Sequence, residues 1–163
     1  MPKITPYLWF DTKAEEAARF YTSIFKNSAI DAVMRYGKEG FDIHRQPEGA
    51  VMTVSFHIEG QEFVALNGGL HFKFTEAISF LINCETQAEV DYYWNKLGEG
   101  GDPDAQQCGW LRDKYGVSWQ VVPSALGTML QDKDPKKVGR VTEVMLKMKK
   151  LDIAALKRAY GQP

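Results

Sequence analysis

His57 and Glu62 are the two residues of this sequence whose types and spacing could do chemistry together. Val51 to Ile58 and Gln61 to Asn67 read as strands, and Glu59-Gly60 between them suits a two-residue turn. Such a turn pairs Ile58 with Gln61, and so Phe56 with Phe63, Val54 with Ala65 and Met52 with Asn67. Met52, Val54, Phe56, Phe63, Ala65 and Asn67 then share one face; Thr53, Ser55, His57, Glu62, Val64 and Leu66 share the other. An imidazole opposite a carboxylate can move a proton or share a metal ion. On a solvated face the same two residues form an ordinary polar pair, stabilising by a few tenths of a kcal/mol to ~1 kcal/mol. The sequence favours the ordinary pair.

The other reactive side chains are scattered. His44 lies in GKEGFDIHRQPEG (Gly37 to Gly49), which reads as a mobile loop able to carry a lid residue, and His71 lies in a linker. Three histidines in three environments do not make a cluster. Ser79 and Cys108 have no histidine nearby in sequence to activate either as a nucleophile. Cys84 and Cys108 are too few for a disulfide framework and form no CxxC, so both read as small buried thiols. Gly68-Gly69 and Gly100-Gly101 sit in loops, not in the strand–turn–helix setting that would cradle a nucleotide-like methyl donor.

The elements that must position these residues repeat. Ile4 to Phe10 is a strand, with Pro6 arguing for an edge position. Thr12 and Glu15 form a capping box that opens a helix with an apolar stripe of Ala17, Phe20, Tyr21 and Ile24. Ile30 to Tyr36 and the hairpin complete a first module. Ala77 to Cys84 then restarts the pattern, with Thr86 and Glu89 as a second box and Val90, Tyr93, Trp94 and Leu97 as a second stripe. The capping threonines lie 74 residues apart, and a strand–helix–strands unit used twice is the main organisational signal. QCGWLRDKYGVSWQVVP (Gln107 to Pro123) closes the second module as a hairpin, with Ser118, Gln120 and Val122 alternating against Val117, Trp119 and Val121. A tail follows: Asp134-Pro135 caps a helix carrying Val138, Val141, Val144, Met145 and Met148, and Asp152 caps another with Ile153, Leu156 and Tyr160.

Composition excludes several classes. The chain has 163 residues, 44% apolar and 25% charged, with net charge −1. That is ordinary for a soluble globular protein and offers no overall attraction to nucleic acid or anionic membrane. The tail's nine Lys or Arg against four Asp or Glu read as a solvated helix face. No run approaches the ~20 apolar residues that span a bilayer. MPKITPYLWF lacks the apolar core of a signal peptide, so a cytoplasmic location is expected.

A repeated βαβββ unit, YLWFDTKAEEAARFY, ALNGG, AISFLINCETQAEVDYYWNKL, CGWLRDKYGVSWQVVP and MLKMKKLDIAALKRAY together resemble the vicinal oxygen chelate superfamily of glyoxalases, bleomycin-resistance proteins and extradiol dioxygenases. The match is to its PhnB-like branch, often labelled 3-demethylubiquinone-9 3-methyltransferase. The resemblance implies an α+β fold of two βαβββ modules whose curved strands enclose a cavity, with a C-terminal helical tail. Residues 1–124 would form the glyoxalase-like domain (modules of about 1–69 and 75–124), and 125–163 the tail.

Metal enzymes of the superfamily use four ligands drawn from His, Glu and Gln. Carried over, those positions fall near Thr5, Ala65, Ser79 and Gln120, a set that holds no divalent ion usefully. No metal and no cofactor are therefore expected. Parity and the resemblance direct Tyr7, Trp9, Asn67, Ser79, Trp110 and Gln120 into the cavity as ligand-binding residues, aromatic walls with a few polar groups. The expected function is metal-free binding of a small, partly apolar ligand. The alternative is a metal-dependent enzyme of the glyoxalase or dioxygenase type. A homodimer is expected, with the tail stripe covering a partner or a seam.

Overall fold

Glu59 and Gly60 both take positive φ, 48° and 84°, and close the hairpin in the register their two-residue spacing demands: Ile58 opposite Gln61, Phe56 opposite Phe63, Val54 opposite Ala65. The structure is a computed structural model whose described residues are 2–161; Met1, Gln162 and Pro163, the last two ending the expected tail, lie outside them. The chain divides into two compact units, Met1–Phe74 and Thr75–Pro163.

The first unit runs β1 (Tyr7–Phe10), α1 (Ala14–Ile24), β2 (Ser28–Arg35), α2 (Phe41–His44), β3 (Val51–Ile58) and β4 (Gln61–Asn67). Its sheet has the order β1-β4-β3-β2, with β1 parallel to β4 and the other pairs antiparallel. Pro6 immediately precedes edge strand β1, where a missing donor costs nothing. α1 buries Ala14, Ala17, Ala18, Tyr21 and Ile24. The small alanines let Tyr21 reach the sheet and stack on Phe56 at 6.2 Å between centroids, and Phe56 stacks on Phe63 at 5.4 Å. Each such ring, fully buried, stabilises by about 1.5–3 kcal/mol. Val54, Phe56, Phe63, Ala65 and Asn67 are buried on this helix side, so Tyr7, Trp9, His57, Glu62, Val64 and Leu66 lie on the opposite, open side.

α1 does not begin at the expected Thr12–Glu15 box. Lys13 occupies the cap position without a side-chain hydrogen bond. The chain enters the helix one residue later than the box requires, and the Ala14 N–H is met instead by Asn67 Oδ1 at 2.8 Å. The stretch 37–49, expected as a loop, contains the single turn α2.

The second unit runs β5 (Ser79–Cys84), α3 (Gln87–Gly98), a one-turn 3₁₀ helix (Pro103–Ala105), β6 (Trp110–Arg112), β7 (Ser118–Pro123), α4 (Ser124–Leu130), α5 (Pro135–Met145) and α6 (Ile153–Gly161). Its sheet has the order β5-β7-β6. The fold is α+β as expected, but the second copy is abbreviated to β-α-β-β among the described residues. Gly100, Gly101 and Pro103 are poor strand residues, and the slot that β2 fills in the first unit holds only the 3₁₀ turn and an isolated bridge, Gln107 to Trp110. The second cap forms: Thr86 Oγ1 accepts from Glu89 N at 3.2 Å, while Glu89 Oε2 accepts from Glu85 N, one residue before the cap, at 2.6 Å.

The tail packs within this unit. Leu126, Met129, Val141, Leu151 and Leu156 form a buried cluster, flanked by Val122, Met145, Met148 and Tyr160. Of the expected stripe on α5, Val141, Met145 and Met148 are thus covered within this cluster, while Val138 lines an open groove. Asp134 caps α5 by accepting from Lys136 N at 2.9 Å, and Asp152 accepts from Ala155 N at 3.0 Å. Cys108 N and Gly109 N donate to Met148 O and Lys149 O, and Gln87 bonds both Leu151 O and Ile153 N. α4 was not expected from sequence; it starts directly after β7, and Gly127 in its middle dilutes the helical signal. Among the described residues no helix is long and apolar enough to cross a membrane.

Candidate functional site

In the second unit Leu111, Trp119 and Val121 are buried on the side that packs with α3, while Trp110, Gln120 and Val122 are half-buried on the other. Register places Gln120 between Leu81 on β5 and Trp110 on β6. Gln120 Nε2 donates to Ser79 Oγ at 2.9 Å. The pair therefore keeps the Gln120 carbonyl as acceptor, and the second Gln120 N–H and the Ser79 hydroxyl as donors, beside the Trp110 ring and the Leu81 side chain. On the same face Ser118, only 2% exposed, has a hydroxyl with no hydrogen-bond partner among the described residues.

What aims this face is Asp113, 3% exposed at the head of the β6–β7 turn. Its Oδ1 accepts from Tyr115 N at 2.8 Å and Val117 N at 3.1 Å, and its Oδ2 from the Trp119 indole at 2.9 Å. Gly116, with φ 93°, supplies the reversal. A carboxylate that gathers three donors fixes which face Trp119 enters, and so which face Gln120 leaves by. The sequence showed the turn but not this role; an Asp two and four residues before backbone donors, at the start of a Gly turn, was the available signal. Arg112, next on the open face, pairs with Glu76 at 2.9 Å and with Asp102.

The first unit's candidates behave differently from one another. Tyr7 lies on the open side of edge strand β1 and is 64% exposed. Trp9, on the same side, donates its indole N–H to Gly69 O at 2.9 Å and meets Phe72 edge-on at 4.9 Å. A Cβ on Gly68 would fall 2.2 Å from that indole, so glycine is required there. Asn67 points the other way. It is 6% exposed on the helix side, with Oδ1 on Ala14 N and Nδ2 donating to Val51 O at 3.2 Å. Expected in the cavity, it is committed to holding α1.

His57 also has an unforeseen partner. Its Nδ1 lies 2.9 and 3.0 Å from the two Asp31 oxygens, across the bulge that interrupts β2 between Ile30 and Ala32. A carboxylate only accepts, so Nδ1 carries the hydrogen and Nε2 is turned to the open side, an acceptor in the neutral ring and a donor in the imidazolium. Glu62 is its cross-strand neighbour, as expected. His44 is held in the α2 turn: Nδ1 accepts from Gln46 N at 2.9 Å, which makes Nε2 the donor to Glu39 O, also 2.9 Å away. His71 packs by the edge of Trp9 at 6.5 Å.

Ala65, the carried-over fourth-strand ligand position, is fully buried on the helix side. The open-side carboxylate of that strand is Glu62. No group of three or more His, Cys, Asp or Glu could share an ion among the described residues. Cys84 is buried and its thiol is pushed up to about 11, chiefly by burial and then by Glu89 and Glu85, so it is not a thiolate at neutral pH. Cys108 is only half-buried.

The family model described as 3-demethylubiquinone-9 3-methyltransferase matches residues 2–122. A PhnB protein from Bacillus cereus is 40% identical over 76% of this chain and 100% of its own, with a TM-score of 0.64. A Pseudomonas aeruginosa protein at 20% identity, covering 76% of this chain and 98% of its own with a TM-score of 0.56, shares the fold. No curated protein matches. With the family model spanning most of the chain and the B. cereus protein matching it in sequence and fold, the chain belongs to the PhnB-like family described as 3-demethylubiquinone-9 3-methyltransferase.

Proposed function

We propose that this protein binds a small, partly apolar molecule on the open sheet face of its second unit without a metal ion. The observation that carries the reading is the Gln120–Ser79 pair at 2.9 Å. It offers a fixed neutral acceptor and donor beside Trp110 and Leu81, which suits a ligand with one uncharged donor–acceptor group on an apolar body. Support comes from the Ser118 hydroxyl, whose lack of a partner costs about 1–3 kcal/mol and would be recovered by a ligand group or a bridging water. Tyr7, 64% exposed on the first unit's open side, is an aromatic surface of that unit alone. Trp9 stiffens that side.

The family description names a methyl transfer. A methyl donor held in the doubly wound manner needs a glycine-rich turn from a parallel strand into a helix, and the turn from β1 into α1 is Asp11-Thr12-Lys13.

A second reading, an acid–base or metal-assisted enzyme, is favoured by His57. Asp31 orients its ring and leaves Nε2 on the open side with Glu62 across the strand. Two measurements separate the readings. Ligand-observed NMR against neutral fragments should give binders that lose at least tenfold in affinity in Gln120→Leu and Ser79→Ala; binders indifferent to both changes sink the first reading. Stoichiometric transition metal in untagged protein purified without chelator, lost in His57→Ala, establishes the second.

A further inference from the structure

Among the described residues of β5, β6 and β7, Arg112 is the charged one on the open face. It is the register partner of Ser118, and Ser118 is the partner of Ser79. Directly paired residues point to one face. A guanidinium, the unpartnered Ser118 hydroxyl and the Ser79 hydroxyl therefore form one row across the sheet. Trp110, Gln120 and Leu81 form the next row, about 7 Å along the strands.

The two carboxylates on Arg112 are not equivalent. Asp102 accepts from Nη2 with one oxygen and caps the 3₁₀ helix with the other, taking Asp104 N at 2.9 Å. Glu76 accepts from Nη1 at 2.9 Å; its side chain is 57% exposed and stands in the turn that leads into β5. Asp102 is thus fixed at two points and Glu76 by Arg112. Three of the five guanidinium N–H groups remain free of these two bonds.

We propose that Arg112 sets the ligand class of this face: the molecule held at Gln120 and Ser79 also bears a carboxylate, which takes the place of Glu76 on the guanidinium. The inference rests on the ligand reading above. Exchanging one carboxylate for another keeps the local charge constant and leaves no unpaired cation. A carboxylate has two oxygens, so while one accepts from Arg112 the other accepts from Ser118, whose buried hydroxyl then gains its missing partner. Glu76 acts as an internal competitor that keeps Arg112 paired when the face is empty.

The probe is 4-acetamidobenzoate, whose carboxylate and neutral amide stand ~7 Å apart, the spacing of diagonal neighbours such as Arg112 and Gln120. Its uncharged counterpart is 4-acetamidobenzamide. In NMR titrations of the full chain the benzoate should bind at least ~10-fold tighter than the benzamide. Arg112→Gln should abolish that preference, and Ser118→Ala should weaken the benzoate about 2- to 10-fold. Glu76→Gln should strengthen the benzoate about 2- to 5-fold, a gain that vanishes when combined with Arg112→Gln. Equal affinity for the two probes in the wild type overturns the proposal, as does a preference that survives Arg112→Gln or a benzoate weakened by Glu76→Gln. Benzamide binding that depends on Gln120 then leaves the ligand reading standing, whereas binding of neither probe overturns the proposal as well. Should Arg112→Gln fail to fold, the Glu76→Gln and Ser118→Ala titrations decide.

Discussion

The side-chain oxygen of Asn67, at the end of β4, accepts from the backbone N–H of Ala14 at 2.8 Å, and its amide nitrogen reaches Val51 O at 3.2 Å. One buried amide thus caps α1 and ties β4 to the start of β3. Replacing it by alanine leaves the Ala14 N–H and the Val51 carbonyl without that partner, and should cost about 1–3 kcal/mol. Urea denaturation checks this. A Gln120-dependent binder should keep its affinity for the Asn67→Ala protein, because this side chain faces the helix.

Asp113 should be the costlier residue. Asp113→Ala strands the Tyr115, Val117 and Trp119 donors in a buried turn, a loss of about 2–4 kcal/mol. Asp113→Asn should lie between, since an amide offers one acceptor oxygen and turns a second group of donors toward the indole. Chemical denaturation followed by tryptophan fluorescence ranks the three proteins; a neutral Asp113→Ala refutes the role.

Gly68→Ala tests the Trp9 packing. The new methyl would sit 2.2–2.5 Å from three atoms of the Trp9 indole ring. Trp9 must move, losing its bond to Gly69 O, with a destabilisation of about 1–3 kcal/mol. A red-shifted tryptophan emission accompanies it. An unshifted spectrum with unchanged stability would show that the ring is not locked against this glycine.

The docking of α6 should weaken at both ends of the pH scale. The Tyr160 hydroxyl donates to Asp132 at 2.5 Å, which holds that carboxyl below its ordinary range and pushes the phenol up. Hydrogen bonds from Lys150 and Gln87 hold Asp91 down as well. The two carboxylates contribute above the ordinary carboxylate range, and their contribution is lost as pH falls through their lowered folded values. Tyr160 has the opposite sign: it contributes below the ordinary phenol range and is lost as pH rises through its raised value. Hydrogen exchange of residues 153–161, corrected for intrinsic rates, should lose protection before α1 does in both directions. Parallel loss in the two helices would refute it.

Local chemistry was enough to read several features from sequence. The β3–β4 register followed from a two-residue turn, because a period of two leaves no other pairing with one buried face. The strand parity of Trp119 and Gln120, the Thr86 cap and the Asp134-Pro135 helix start are equally local, each decided within four residues. Tertiary structure decided the rest. Whether Asn67 meets a ligand or a helix depends on where α1 begins, 53 residues away in the chain. The hairpin register pairs His57 with Glu62, but a bulge in a third strand brings Asp31 to its ring. The stripe on α5 demanded cover, and its period says nothing about who provides it; α4 and α6 cover Val141, Met145 and Met148, while Val138 and Gly139 line an open groove. Short-range hydrogen bonds and side-chain period are written in neighbouring residues, whereas the partner of a buried polar group or an apolar face is set by which distant segments the fold brings into reach.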